Sequence, residues 1–383
     1  MNIASMVDSR NWFKTLPETR QRKLLASQRD GLWLDLDGKR LLNFASNDYL
    51  GLSIHPEVCA AAIQTIDKQG LGSGASRLVS GDAPLLHQLE AELAEWKGFE
   101  SCLLIGSGML ANIGLLQALA DRFTPIFSDK LNHASLVDGA RLSGAKVLRY
   151  PHLDTDTLEQ QLDKHPAEKR IIVSDGVFSM DGDVADVLRL HQLAESHNAL
   201  LVIDDAHGTG TVGENGKGLI SQANLCGNAR IIEVGTLGKS FGSYGAYILG
   251  SEEMIEGLRQ RMRTLIYSTA LPVSVLEGAR KSLAIIQQGS LVKKLHENIS
   301  FFLEHASTLD LLPSTTAIQP VMMYSNTQAL SASASLRNQG FFVPAIRPPT
   351  VPEGEARLRI TLSALHSQQD IQKLIQALYE VGN

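Results

Sequence analysis

At 383 residues, 44% of them hydrophobic and 20% charged, the chain is long enough for two or three domains and has the composition of a well-cored globular protein. Acidic side chains outnumber basic ones, 41 against 35, which argues against the basic footprint that non-specific nucleic-acid binding needs. Three cysteines without a C-x-x-C pair, no secretory pattern and no apolar run of bilayer length predict a cytoplasmic protein with no membrane partner.

The first forty or so residues, including "PETRQRKLLASQRDG", are polar and loosely periodic and predict an N-terminal helix or arm. A short hairpin follows, "GLWLDLDGKRLLNFA", with the turn dipeptide Asp37-Gly38 between apolar flanks. From about residue 85, apolar runs of strand length alternate with helical patterns: "SCLLIGSG", "TPIFSD", "AKVLRYP", "RIIVSDGVF", "ALLVIDDAHG", "ARIIEVGTLGKS" and "GAYILG". Nearly continuous apolar runs that end in small or polar residues are the mark of strands buried on both faces. Amphipathic stretches lie between them, as in "DVLRLHQLAESHNA", where Val187, Leu190, Leu193 and Ala194 recur at helical spacing. The alternation predicts an α/β domain with a mostly parallel central sheet and helices on both faces. After "IYSTALPVSV" long helices and a smaller α+β segment follow. The predicted division is an arm and hairpin over 1–44, a large domain over 45–275 and a small domain over 276–383. Cys59, Cys102 and Cys226 each read as small buried hydrophobes.

In an open α/β sheet, ligands gather beyond the carboxyl ends of the strands. The predicted strands bring Gly108 and Met109, His133, Ser179, Asp204 with Asp205 and His207, and Thr236 with Lys239 to that face. Lys239 sits in "GTLGKSFG". A phosphate loop of the form G-x-x-x-x-G-K-[ST] would need glycine at 233, where Glu233 stands, so the lysine needs another role. A lysine amine that forms an imine with an aldehyde cofactor is one. Pyridoxal phosphate needs such a lysine together with an acid facing its pyridine nitrogen, and Asp204 at a strand end suits that acid. The "GSGML" amides and the Thr236 hydroxyl suit the phosphate, His133 a ring face, and His207 and Ser179 the phenolic oxygen.

Taken singly, each feature has a plainer reading. Lys239 could be a surface loop residue, Asp204-Asp205 a helix-cap pair, "GSGM" an ordinary strand-to-helix turn and His133 a structural histidine. A nicotinamide-binding sheet is a rival, since "GSGMLANIG" gives Gly106, Gly108 and Ala111 in the permitted G-x-G-x-x-A pattern. It leaves Lys239 and the Asp204–His207 pair without a purpose. Their joint occurrence on successive strand ends favours the pyridoxal reading.

The ordered set "SNDYLGL", "GSGASRLVSGD", "NHASLVDGA", "SDGVFSMDGD", "IDDAHGTGTVGENGKG", "GTLGKSFGSYG" and "IYSTALP" resembles the α-oxoamine synthases, with matches from about residue 43 to 366. These are fold type I, pyridoxal-phosphate-dependent transferases that join an amino acid to an acyl thioester and release carbon dioxide. "AIRPPTVPEGEARLRITLSALHS" resembles the branch that uses L-alanine and a pimeloyl thioester, carried on coenzyme A or acyl carrier protein, in biotin synthesis. Sister enzymes use glycine with acetyl-CoA or succinyl-CoA. The resemblance implies Lys239 as the imine-forming base, Asp204 as partner of the ring nitrogen, and His133, His207 and Ser179 around the ring. It implies Gly108, Met109 and Thr236 at the phosphate, and Thr269 reaching the phosphate of a neighbouring subunit in a homodimer. For substrate it implies Arg359 on the amino-acid carboxylate, with Asn47, His133, Arg347, Thr350 and an N-terminal arginine, Arg20 in preference to Arg22. Against Arg359 stands a second reading: Arg357 and Arg359 alternate with Leu358 and Ile360, as on a strand with one solvated face. The implied chemistry has Lys239 remove the α-proton and His133 hydrogen-bond the thioester carbonyl.

Overall fold

The computed structural model describes residues 24–382, together with Trp12 and Gln21. The expected N-terminal helix and both candidate arginines of the arm, Arg20 and Arg22, lie outside the described residues. The hairpin is present as β2 (Trp33–Leu36) and β3 (Lys39–Asn43), preceded by β1 (Ser27–Asp30), which the sequence did not signal. Asp37 and Gly38 take φ of 51° and 73°, the left-handed pair that a two-residue turn demands.

Seven strands form the central sheet: β4 (Ser101–Ile105), β5 (Ile126–Asp129), β6 (Val147–Tyr150), β7 (Ile171–Asp175), β8 (Leu200–Asp204), β9 (Ile231–Thr236) and β10 (Ala246–Gly250). Their spatial order is β4-β10-β9-β8-β7-β5-β6. The pairs β9–β8, β8–β7, β7–β5 and β5–β6 are parallel, and β10 runs antiparallel between β4 and β9. Alternate residues enter two separate cores. Cys102, Leu104, Ile172, Leu201, Ile203 and Tyr247 pack on one face, and Leu103, Ile105, Ile171, Val173, Val202 and Ile248 on the other. This is the physical reason that the strands read as unbroken apolar runs: both faces are covered by helices. Helix Gly108–Leu119 covers the second face with helix Ala134–Leu142, while helix Val187–Ser196 covers the first.

Helix Val273–Gln287 packs along helix Pro56–Gln69, and beyond it lies the smaller α+β unit. Its antiparallel sheet has the order β11-β14-β13, from β11 (Ile318–Tyr324), β13 (Ala345–Ile346) and β14 (Ala356–Thr361). The remaining strand, β12 (Phe341–Phe342), pairs in parallel with β3, which joins the N-terminal hairpin to this unit as a four-stranded sheet. The cysteines divide: Cys102 is buried and Cys59 half-buried, but Cys226 is exposed, which corrects the reading of all three as core residues. Cys226 follows the short helix Leu219–Gln222 in a surface turn, where nothing covers it.

Candidate active site

Three strands of the parallel set, β5, β7 and β8, end in aspartate: Asp129, Asp175 and Asp204. Asp175 and Asp204 are register partners on neighbouring strands, so two buried carboxyls sit side by side at the carboxyl edge. Burial, with the Asp204 charge beside it, pushes the Asp175 carboxyl well above its usual range. Asp175 Oδ2 accepts the backbone N–H of His133 at 2.9 Å. Asp204 takes two donors, Asn112 Nδ2 at 2.6 Å and the Ala206 N–H at 3.0 Å. Asp129 is spent on structure, accepting from Leu131, Leu153 and His152.

Lys239 follows β9 and is half-buried. Its glycines serve packing and turning. A Cβ on Gly235 would lie 2.1 Å from the Tyr247 ring, and Gly242 adopts φ 59° with its Cα against the Ser53 backbone. Burial lowers the Lys239 ammonium to a pKa of about 8, with Asp204 and Asp175 partly opposing the shift. Glu233, the residue that spoiled the phosphate loop, is buried away from the cleft in an ion pair with Lys97.

His133 is the N-cap of helix Ala134–Leu142, and its ring is exposed. Its pKa is lowered by desolvation, against which the Asp204 charge acts. His207 follows Asp204 and places Nδ1 2.6 Å from the Tyr49 hydroxyl. Desolvation and the cations Lys239 and Arg359 hold His207 well below the ordinary histidine range, so it is neutral. Arg359 donates through Nε to the Ser179 carbonyl at 2.6 Å, through Nη1 to Thr361 Oγ1 at 2.9 Å and through Nη2 to Asn47 Oδ1 at 3.3 Å. Asn47, Tyr49, His207, Ser179 and Arg359 therefore form one connected group. Ser179 contributes its backbone to it.

The solvated-face reading of the arginine strand is overturned. All six residues of β14 are buried, because that strand is the centre of its sheet. Arg357 pairs with Asp181 and Glu355, so it anchors the loop that carries Ser179, while Arg359 turns to the site.

Gly108 and Met109 open helix Gly108–Leu119 after the N-cap Ser107. A Cβ on Gly108 would meet nothing within 4 Å, so the space before the helix is open to an anion. Thr236 Oγ1 donates to the Gly245 carbonyl at 3.1 Å and accepts from the Gly238 N–H at 3.1 Å, so its proton is already committed. Thr269 is exposed and forms an isolated bridge with Ser76. Arg347 and Thr350 share a turn after β13, the Thr350 N–H reaching the Arg347 carbonyl at 3.0 Å, and Thr350 is exposed.

Three residues escaped the sequence. Asn112 is the one polar side chain in the first turns of the apolar helix "GMLANIGLL", a signal that was readable. Asp175 ends "IIVSD" as Asp204 ends "LLVID", a repeated strand ending. Tyr49 lies in the "SNDYL" motif from which only Asn47 was singled out.

A half-buried lysine of lowered pKa, a buried aspartate one strand away, an open helix N-terminus and an exposed histidine ring together form a donor set that fits a phosphorylated aldehyde cofactor. The chain belongs to the class I and II aminotransferase family, which it matches over residues 39–378. Within that family it is 46% identical over 373 residues to 8-amino-7-oxononanoate synthase of Saccharophagus degradans, a match covering 96% of this chain and 94% of the relative. Among solved structures, 8-amino-7-oxononanoate synthase of Francisella tularensis is 31% identical with a TM-score of 0.77, covering 89% of this chain and 97% of that one. A serine palmitoyltransferase variant from S. paucimobilis with bound PLP and myriocin is 27% identical with a TM-score of 0.90, over 94% of this chain and 92% of that one. No helix among the described residues is long and apolar enough to cross a membrane.

Proposed function

We infer that the chain is a pyridoxal-phosphate-dependent acyltransferase that condenses L-alanine with a pimeloyl thioester, releasing carbon dioxide and the thiol, to form 8-amino-7-oxononanoate for biotin synthesis. The observation that carries this reading is the 46% identity over nearly the whole chain to an enzyme of that name, joined to the lysine–aspartate–histidine constellation at the sheet edge. Bound at this edge, the cofactor supplies an electron sink for the negative charge left when the α-proton of the amino acid departs.

The chain's own residues divide the remaining work. Lys239 would hold the cofactor aldehyde, and its free amine would accept the α-proton at Nζ. A pKa of about 8 leaves a useful share of free amine near neutrality. Asp204 would face the pyridine nitrogen, with Asn112 Nδ2 and the Ala206 N–H donating to its carboxyl oxygens. The exposed His133 ring offers a stacking face and a hydrogen bond to the acyl carbonyl. His207, with Ser179, is assigned to the phenolic oxygen. The open N–H groups of Gly108 and Met109 suit the phosphate, and Thr236 joins them if its hydroxyl turns from Gly245. Arg359, braced by Ser179 and Thr361, presents a planar guanidinium to the alanine carboxylate beside Asn47. Arg20, Arg347 and Thr350 are assigned to the acyl chain or carboxylate by their motif positions.

A homodimer fits the surface around Thr269. Leu71, Leu78, Val79 and Tyr267 are exposed there, next to the Ser76–Thr269 bridge, and a second copy would cover them. The acyl donor is a thioester of coenzyme A or of acyl carrier protein, and the proposed setting is the cytoplasm.

The test is thiol release from protein loaded with pyridoxal phosphate. L-Alanine with pimeloyl-CoA is expected to release thiol and yield the amino-ketone. Glycine with acetyl-CoA or succinyl-CoA, and L-serine with palmitoyl-CoA, are the control pairs. Preference for any control pair overturns the substrate assignment while leaving the site intact.

A further inference from the structure

Asn112 is fully buried on the cleft side of helix Gly108–Leu119, and its amide nitrogen has two protons to place. One goes to Asp204 Oδ2 at 2.6 Å and the other to Ser135 Oγ at 2.8 Å. The carboxylate fixes this orientation, since a flipped amide would set oxygen against oxygen. Ser135 is also buried, and its Oγ lies 2.7 Å from His133 Nδ1. The Ser135 backbone N–H points at the same nitrogen, at 3.3 Å. A backbone N–H can only donate, so Nδ1 must offer its lone pair. Ser135 Oγ receives a proton from Asn112 and gives its own to Nδ1. The single proton of the neutral imidazole therefore resides on Nε2.

We propose that Asn112 and Ser135 are positioning residues that lock His133 as the neutral Nε2–H tautomer and tie it to Asp204, giving the cleft a hydrogen-bond donor that cannot act as a base. The acyl-transfer reading enters only in naming the group that Nε2–H meets, the thioester carbonyl oxygen as it gains negative charge. The device separates two tasks. Lys239 is left as the acceptor of the α-proton, because the Nδ1 lone pair of His133 is occupied and Nε2 has none free. The same amide that donates to Asp204 starts the chain that orients His133, so the acid assigned to the cofactor's ring nitrogen and the donor assigned to the acyl carbonyl are set by one side chain.

The titratable groups facing His133 are Asp204 on β8, Asp175 on β7 through the His133 N–H, Lys239 after β9, His207, and Asp138 on its own helix. Partial desolvation lowers the pKa of the ring against the Asp204 charge, which agrees with a neutral state near pH 7.

The tautomer can be read directly by long-range 1H–15N correlation on the histidine-labelled holoenzyme without substrate. The His133 signal is assigned by its loss in His133→Gln. A single Nε2–H pattern is expected between about pH 6.5 and 8. An Nδ1–H or averaged pattern overturns the proposal, whatever the substrates prove to be. Ser135→Ala removes one of the two donors to Nδ1 and is expected to move the tautomer ratio toward Nδ1–H by about tenfold, the equivalent of one lost hydrogen bond. In the same variant kcat should fall about tenfold while the KM for the amino acid changes little. A fall in activity with the wild-type tautomer pattern retained would make Ser135 merely structural and sink the idea. The wild-type spectrum decides even if Ser135→Ala fails to fold. A wrong substrate assignment would leave the spectrum untouched and appear only in the thiol-release assay.

Discussion

Two lysines lie against consecutive aspartates at the end of one strand, and they answer oppositely. Lys97 faces Asp205 and Lys239 faces Asp204. Lys97 is 1% exposed, makes an ion pair with Glu233, lies 3.7 Å from Asp205 and donates to Thr209 Oγ1 at 3.2 Å and the Lys217 carbonyl at 2.5 Å. Burial would lower its pKa, but the Glu233 charge and its other neighbours more than reverse that, and it rises above the usual lysine value. Lys239 has no carboxylate within ion-pair distance among the described residues, so desolvation prevails and its pKa drops to about 8. Contact distance makes one a permanent cation and the other a convertible base, because Coulomb attraction falls with separation while desolvation does not. The lysine proposed for the chemistry is the one that the fold has declined to pair.

Replacing each lysine with the same apolar side chain is the sharpest way to break that contrast. Lys239→Met should cut turnover by about a thousandfold or more, as expected when the proton acceptor is deleted, with the melting temperature unchanged or raised. Retained turnover, measured as thiol release, would remove Lys239 from the chemistry. Lys97→Met should do the reverse. It strands Glu233 and Asp205 and costs about 3–5 kcal/mol in denaturant unfolding, with kcat per folded molecule near wild type. A small loss would mean that the two carboxyls simply protonate.

His152 extends the comparison to a third cation. It bridges Asp129 at 3.0 Å and Asp183 at 2.8 Å, and these partners raise its pKa to about 10 against the pull of desolvation. A raised folded value means that the stabilisation is complete below the unfolded pKa of about 6.5 and is lost as pH climbs through about 10. Because the ring is partly open to solvent, we expect about 2 kcal/mol from His152→Gln at pH 6. The difference from wild type should vanish above pH 10, and a pH-independent difference would contradict the ion bridge. The mildest effect is on Lys239 itself. Covalent capture of pyridoxal phosphate by the apoprotein, trapped with borohydride, should quicken about tenfold per pH unit up to about 8 and then level. A plateau reached only near pH 10 would show that Lys239 is as well paired as Lys97.

The same contrast explains what the sequence could and could not tell. β8 was readable because burial on both faces writes "LLVID" as one apolar run, and Asp204 and Lys239 stood out at the ends of such runs. Lys97 did not, since its partner Glu233 lies on a strand far along the chain and the last turn of a helix is where lysines ordinarily occur. Arg357 and Arg359 alternate with apolar residues as a solvated face would, and only tertiary packing makes β14 a central strand. The partner that neutralises Arg357, Asp181, is 176 residues away. Asn112 reaches Asp204 across 92 residues, a distance that local periodicity does not register. Elements whose cause is local were legible, while pairings made through the fold were not.

The join between β3 and β12 bears on how the protein is made. The Lys39 ammonium donates to Asn338 Oδ1 at 2.9 Å across 299 residues, beside backbone bonds from Leu42 to Gly340 and from Phe44 to Phe342. At about 5–20 residues per second on the ribosome, the hairpin emerges roughly 15–60 s before the strand that completes its sheet. For that interval the edge of β3 that β12 will occupy has no partner strand and is open to another chain. The hairpin is translated well before the strand that completes its sheet, which makes its open edge a place where a chaperone would be useful.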